Sequence, residues 1–182
     1  TSTKTGIAPS CTTASYVAAV RGTNAVILDT RKTTPGWRSL EKYAVRCGGG
    51  HNHRMGLYDA VLIKNNHIAL AGGIAPALER AHRNRRGSQP IEVEVRSLAE
   101  LEEALTHGAE AILLDNMSVE DVGRAVERCA HAGDRKMGGR IPIECSGGIK
   151  LENVRAYAET GVDFISVGLL THSTHAVDMS MR

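Results

Sequence analysis

A chain of 182 residues, 42% hydrophobic and 23% charged, can bury a proper core as one domain or as a large piece of a bigger fold, and a charged fraction near the ordinary value of about 25% argues against wholesale disorder. Aromatics make up only 3%, too few for a scaffold of stacked nucleobases. The net charge of +2, from 22 basic and 20 acidic residues, lacks the excess expected of a general nucleic-acid or membrane-surface binder.

No apolar run approaches the ~20 residues of a membrane helix. Cys11, Cys47, Cys129 and Cys145 form no CxxC pair and no zinc spacing; scattered thiols suit a reducing cytosol. Thr1 to Ala8 lacks the pattern of a signal peptide. The first residue is Thr rather than Met, so the chain need not begin where its gene does.

In chain order, a strand is expected over Ala25–Thr30. A helix then starts at Thr34-Pro35, with Pro at its first position, turns Trp37, Leu40, Ala44 and Val45 to one face and stops at Gly48. A second strand spans Ala60–Asn65. Arg80–Pro90 reads as a frayed helix end plus a basic loop, and Ile91–Val95 as a third strand. Ser97 caps a helix carrying Leu98, Leu101, Ala104 and Leu105 up to Gly108, with Glu100 at the capping-box position. A fourth strand covers Ala111–Asp115, and Ser118 precedes a helix with Val119, Val122 and Val126. His131–Arg140 is a Gly-rich charged linker. Strand Ile141–Cys145, a helix face of Leu151, Val154 and Tyr157 ended by Gly161, and strand Phe164–Leu169 complete the chain. These nearly continuous apolar strands fit a parallel sheet covered on both faces.

Such alternation predicts an α/β fold with parallel strands, either an open doubly wound sheet or a barrel. An open sheet calls for one Gly-rich fingerprint; a barrel calls for polar residues at nearly every strand end, which is what the sequence has, spaced by about one strand–helix unit of roughly 30 residues. About six to seven strands are legible, so a TIM-like but incomplete parallel α/β barrel is expected over residues 1–182.

The strand ends carry the chemistry. Arg31 and Lys32 are adjacent cations; the plain alternative is a basic loop beside a helix cap. Gly48-Gly-Gly50 leads to His51, His53 and Arg54. The two histidines lack a neighbouring carboxylate or Cys to complete a metal set. Lys64 ends a buried strand and so calls for an anion, from the protein or a ligand. Converging in a barrel mouth, Arg31, Lys32, His53, Arg54 and Lys64 would suit a small polyanion, the arginines gripping planar carboxylates and lysine a phosphate. Glu94 and Asp115 lie across the mouth and could hold sugar hydroxyls or hydrated Mg2+, or simply neutralise the cations. Glu92, on the same strand face as Glu94, reads as a deeper ion-pair partner. Ser146-Gly147-Gly148 before a helix suits a phosphate, joined by Gly168 and His172 from the next strand end; a structural role for His172 stays open.

The runs Ile27-Leu-Asp-Thr-Arg-Lys-Thr-Thr-Pro-Gly36, Glu41-Lys-Tyr-Ala-Val-Arg-Cys-Gly-Gly-Gly50, His53-Arg54 and Leu62-Ile-Lys-Asn-Asn-His67 closely resemble the quinolinate phosphoribosyltransferase family. Glu92-Val-Glu94, Leu113-Leu-Asp-Asn116, Glu144-Cys-Ser-Gly-Gly-Ile149 and Val167-Gly-Leu-Leu-Thr-His-Ser173 continue the resemblance in the same order. It implies a barrel-like domain that follows an N-terminal α/β sandwich domain. On that basis residues 1–20 resemble the helix leading into the barrel, and about a hundred residues of sandwich, which supply an arginine to the neighbouring subunit's site, are missing from this chain.

The resemblance also implies transfer of phosphoribosyl from phosphoribosyl pyrophosphate (PRPP) to quinolinate with decarboxylation, in NAD biosynthesis. Arg31, His53, Arg54 and Lys64 would bind the quinolinate carboxylates. Lys32, Glu94 and Asp115 would act in catalysis, the two acids holding Mg2+ through water. Ser146, Gly147, Gly148, Gly168 and His172 would line the PRPP site. It further implies a cytoplasmic homo-oligomer, a dimer or a dimer-based hexamer, with no nucleic-acid or membrane partner. The alternatives are a related phosphoribosyltransferase for nicotinate or another aromatic acid, and an inactive anion-binding barrel fragment.

Overall fold

Six runs rich in Val, Ile and Leu pair as one parallel sheet in the computed structural model, which describes residues 2–133 and 140–172. The strands are β1 (Val26–Leu28), β2 (Val61–Ile63), β3 (Ile91–Val95), β4 (Ala111–Asp115), β5 (Ile143–Ser146) and β6 (Phe164–Ser166). Their order is β1-β6-β5-β4-β3-β2, every pair parallel. That is the cyclic order of a barrel left open between β1 and β2. In place of that missing pair, the chain after Gly50 touches β1 through a single bridge, Leu28 to His51, with the His51 N–H donating to the Ile27 carbonyl at 2.8 Å.

The helices are α1 (Ser2–Ala19), α2 (Arg38–Cys47), α3 (Asn65–Ala71), α4 (Ile74–Asn84), α5 (Leu98–Thr106), α6 (Val119–Gly133) and α7 (Val154–Glu159), with a 3-10 turn at Gly168–Leu170. Among the described residues none is long and apolar enough to cross a membrane. Residues 134–139 of the expected linker, and Ser173 of the last motif, lie outside the described residues.

Strand side chains alternate, and the two faces differ. Ile91, Val93, Val95, Ile112, Leu114, Ile143, Cys145 and Ile165 are buried in one core with Leu78, Leu101, Val122 and Val154. Each such Ile or Leu contributes roughly 1.5–3 kcal/mol relative to exposure. The other face is not uniformly apolar, contrary to the expected double cover. Register places Leu62 beside Glu92, Glu94 and Glu144 beside Leu113, and Asp115 beside Ser146.

The second helix also departs from expectation. It begins at Arg38, not Pro35, because Thr34 to Trp37 form a turn closed by the Trp37 N–H on the Thr34 carbonyl at 2.9 Å, and Glu41 accepts the Thr34 N–H at 3.0 Å. Leu40, assigned to the inner face, is exposed, whereas Glu41 and Lys42 are buried. Its end at Gly48 is where the sequence puts it: a Cβ there would strike the Ser10 carbonyl and the Thr13 side chain of α1.

The Ser97 hydroxyl accepts the Glu100 N–H at 3.2 Å, while the Glu100 carboxylate reaches the Arg96 N–H at 2.7 Å, one residue beyond the expected capping box. Helix α7 starts three residues after Leu151. That leucine is exposed because Lys150–Asn153 form a turn, with Asn153 accepting the Lys150 N–H at 2.8 Å.

Candidate active site

The carboxyl ends of the parallel strands enclose a cavity of about 330 Å³, within the usual range of roughly 300–1,000 Å³ for small-molecule sites. Eight of the twelve expected site residues line it: Arg31, Lys32, His53, Arg54, Lys64, Glu94, Asp115 and Ser146. Thr30, Glu144 and Ser166 join them. Glu144 went unnoticed in the sequence although it carries the same signal as Lys64, an ionisable residue in a buried strand.

The cations come from loops. Arg31 follows β1, and its Nε is buried with no hydrogen-bond partner among the described residues. Arg38 braces both cationic loops, donating to the Arg31 carbonyl and to the Met55 carbonyl, each at 3.3 Å. The Arg54 guanidinium donates to the Ala60 carbonyl at 3.4 Å. Burial, and then the charge of Arg31, push its pKa below the usual guanidinium range. Two arginines that repel each other mark a place for anionic charge.

The acids come from the sheet. Glu94, nearly buried, pairs with the half-exposed Lys64 at 3.0 Å, so part of the expected neutralisation does occur. Asp115 has no side-chain hydrogen bond or ion pair among the described residues. Below them His53 Nε2 lies 3.4 Å from Glu92 and 3.2 Å from Glu144. Burial pulls the ring's pKa down, but the two carboxylates prevail and hold it up at about 10. Burial likewise raises Glu92, opposed by His53 and reinforced by Glu144.

His53 Nδ1 accepts the Arg54 N–H at 2.7 Å, which leaves the ring proton on Nε2 between the carboxylates. The additional proton therefore belongs to the three groups together rather than to one atom. The sequence offered His53 no nearby carboxylate; the fold brings two, from β3 and β5, with ligand atoms within 4.8 Å of one another. His51 does not join them. Glu92 is the deeper ion-pair partner expected, although its cation is His53.

Four expected residues stand elsewhere. Gly148 and His172 line a second cavity of about 610 Å³. Gly147 lies at φ +87°, and a Cβ there would come within 2.5 Å of the Asn116 side chain. The missing Cβ of Gly168 makes room for the His172 ring. The turn following Ser146 thus leads from one cavity to the other.

Residues 10–182 match the family model described as quinolinate phosphoribosyl transferase, C-terminal domain. The nicotinate-nucleotide pyrophosphorylase [carboxylating] of Mycobacterium leprae is 49% identical over 169 residues, covering 93% of this chain and 57% of that protein. The probable enzyme of that name from Bacillus subtilis is 48% identical over 155 residues, 85% of this chain and 51% of that protein. The solved nicotinate-nucleotide pyrophosphorylase of Francisella tularensis superimposes with a TM-score of 0.87 at 44% identity, covering 97% of this chain and 60% of that one. The chain spans about half the length of the curated relatives it matches.

Proposed function

The chain belongs to the quinolinate phosphoribosyltransferase family through its C-terminal domain, and from that premise we propose that its cavity transfers phosphoribosyl from PRPP to quinolinate, with loss of CO2, to give nicotinate mononucleotide and pyrophosphate. The observation that carries this reading is the convergence of Arg31, Arg54 and Lys64 on one cavity that Glu94 and Asp115 also line. Two guanidinium forks suit two planar carboxylates on one ring better than a single phosphate, which lysine serves as well.

In this mechanism Arg31 and Arg54 grip the quinolinate carboxylates and aim the ring nitrogen at C1 of the ribose. The nitrogen–C1 bond forms as the C1–pyrophosphate bond breaks. The transition state is oxocarbenium-like, so positioning and electrostatics supply most of the rate. Lys32 offers its charge to the departing pyrophosphate, and Glu94 and Asp115 orient the ribose hydroxyls. Glu94 and Asp115 offer the hard carboxylate oxygens that suit Mg2+, directly or through water. When bound, that ion neutralises charge on the pyrophosphate.

The positive ring nitrogen formed in the first step then stabilises the carbanion left on the neighbouring ring carbon when the adjacent carboxylate departs as CO2, and a proton from water takes the place of the lost group. His53, with both ring nitrogens engaged inside the protein, serves this site by holding Arg54 in place. Gly148 and His172, in the second cavity, are assigned to the PRPP phosphate. A cytoplasmic homo-oligomer belongs to the same reading.

The test is release of pyrophosphate and CO2 from PRPP and quinolinate, with nicotinate as competitor. Removing one partner of a buried charge contact costs ~2–5 kcal/mol, so Arg54→Ala should lower kcat/KM for quinolinate at least tenfold. Unchanged turnover, or nicotinate used equally well, overturns the assignment.

A further inference from the structure

Lys42 and Asp29 are buried almost completely, yet neither lines the cavity and neither has a part in the mechanism above. The Asp29 carboxylate, at the end of β1, accepts from Lys42 Nζ, from the His53 N–H at 2.9 Å and from Asn52 Nδ2 at 2.5 Å. Lys42 Nζ also donates to the His53 carbonyl at 2.9 Å, and Asn52 Nδ2 to the Lys42 carbonyl at 2.9 Å. Both backbone polar groups of His53 are therefore held by one buried ion pair, in a stretch with no helix or strand of its own.

A buried ion pair is weak grounds for stability, since a well-packed apolar pair does as well. An apolar pair could not fix a donor and an acceptor on the same residue. The two residues so tied matter: Asp29 precedes Arg31 by two positions, and His53 precedes Arg54 by one. The same carboxylate anchors both arginine-bearing segments.

We propose that Asp29, Lys42 and Asn52 are positioning residues that set the spacing of Arg31 and Arg54, and thereby select a substrate with two neighbouring carboxylates over one with a single carboxylate. This rests on the reading of the cavity given above. Backbone bonds to a fixed ion pair determine where His53 stands. Its Nδ1 in turn receives the Arg54 N–H, so a shift at His53 passes directly to Arg54. Near-attack geometry tolerates errors of about an ångström poorly.

The experiment measures affinity for quinolinate, nicotinate and PRPP by titration calorimetry, on the wild type, Asn52→Ala, Arg54→Ala and the double variant. Asn52→Ala leaves the Asp29–Lys42 pair in place and keeps the fold; Lys42→Met probes the same clamp more severely. Asn52→Ala is expected to weaken quinolinate at least fivefold, leave PRPP within twofold and shift the His53 imidazole signal in the nitrogen-15 spectrum. In the Arg54→Ala background the further loss should disappear, because coupled residues are not additive.

Unchanged quinolinate affinity in a folded Asn52→Ala protein overturns the proposal, as does an equal loss for quinolinate and PRPP or an additive double variant. A wild type that binds neither quinolinate nor PRPP overturns the functional reading itself, and the selectivity argument with it. A wild type that binds both, beside an unaltered Asn52→Ala variant, sinks the clamp alone.

Discussion

Replacing His53 by Asn should flatten the alkaline side of the stability curve. In the fold the ring's pKa rises from 6.5 to about 10, so the folded protein keeps, on the ring and its two carboxylates together, a proton that the unfolded chain releases. The stabilisation is fully present below about pH 6.5 and is lost progressively as pH rises to about 10. At 1.36 kcal/mol per pH unit that is at most roughly 5 kcal/mol, of which roughly 3–4 kcal/mol falls between pH 6.5 and 9.5. The raised Glu92 works in the same direction, since it too binds its proton more tightly when folded. Without the ring, Glu92 and Glu144 face each other, and whatever proton they share is lost at lower pH. Urea unfolding followed by the single tryptophan, Trp37, at pH 6.5 and 9.5 supplies the measurement. The wild type should lose several kcal/mol more than the variant, with other titrating groups cancelling in the comparison. If the two lose stability in parallel to within about 1 kcal/mol, the carboxylates do not hold the extra proton and the account of the cavity floor is wrong.

Gly147→Ala should destabilise the protein by about 1–3 kcal/mol, because it forces a side chain to a left-handed backbone and into Asn116; pairing it with Asn116→Ala should recover the contact part and leave the dihedral part, both read from thermal melts. Leu114→Ala, at a fully buried position facing the helices, should cost about 2–5 kcal/mol by urea titration with an unchanged m-value, and a loss below about 1 kcal/mol would mean that the core relaxes around the gap.

Legibility followed burial. Strands β3 and β4 are read to the residue because Pro90 and Arg96 bound the one and Glu110 and Asn116 the other. At β1, β2 and β6 the pairing stops earlier than the pattern: β1 and β2 border the open seam and have a strand neighbour on one side only, and after β6 the chain turns into the 3-10 helix at Gly168–Leu170. The face of α2 was misread for a definite reason: amphipathic reasoning sends Lys outward and Leu inward, and the buried Asp29 reverses both Lys42 and Leu40. Sequence spacing does not show that pairing, nor that Glu92 and Glu144 meet at His53 from different strands. The strand-end rule found the residues of the first cavity, but it could not tell that Gly148 and His172 would line a second one. Position along a strand fixes the end of the barrel at which a residue stands, not the side of a turn.

The open seam and the placement of the charges have one cause. A seventh strand in the seam would have used the backbone groups of the segment after Gly50 for pairing with β1 and β2. With only one bridge there, those groups must find other partners, because a buried backbone polar group left unmade costs about 1–3 kcal/mol. Asp29 and Lys42 supply them, and the segment is thereby freed to send His53 and Arg54 toward the interior. The acids Glu92, Glu94, Asp115 and Glu144 ride on paired strands, whereas Arg31 and Arg54 ride on loops hung from one carboxylate. Lys64 is answered by Glu94 and His53 by two carboxylates, but no carboxylate is paired with either arginine among the described residues. The positive potential left over therefore lies at Lys32 and at the two arginines whose separation Asp29 controls, and a ligand that brings two negative groups at that separation finds the protein's side of the charge balance already in place.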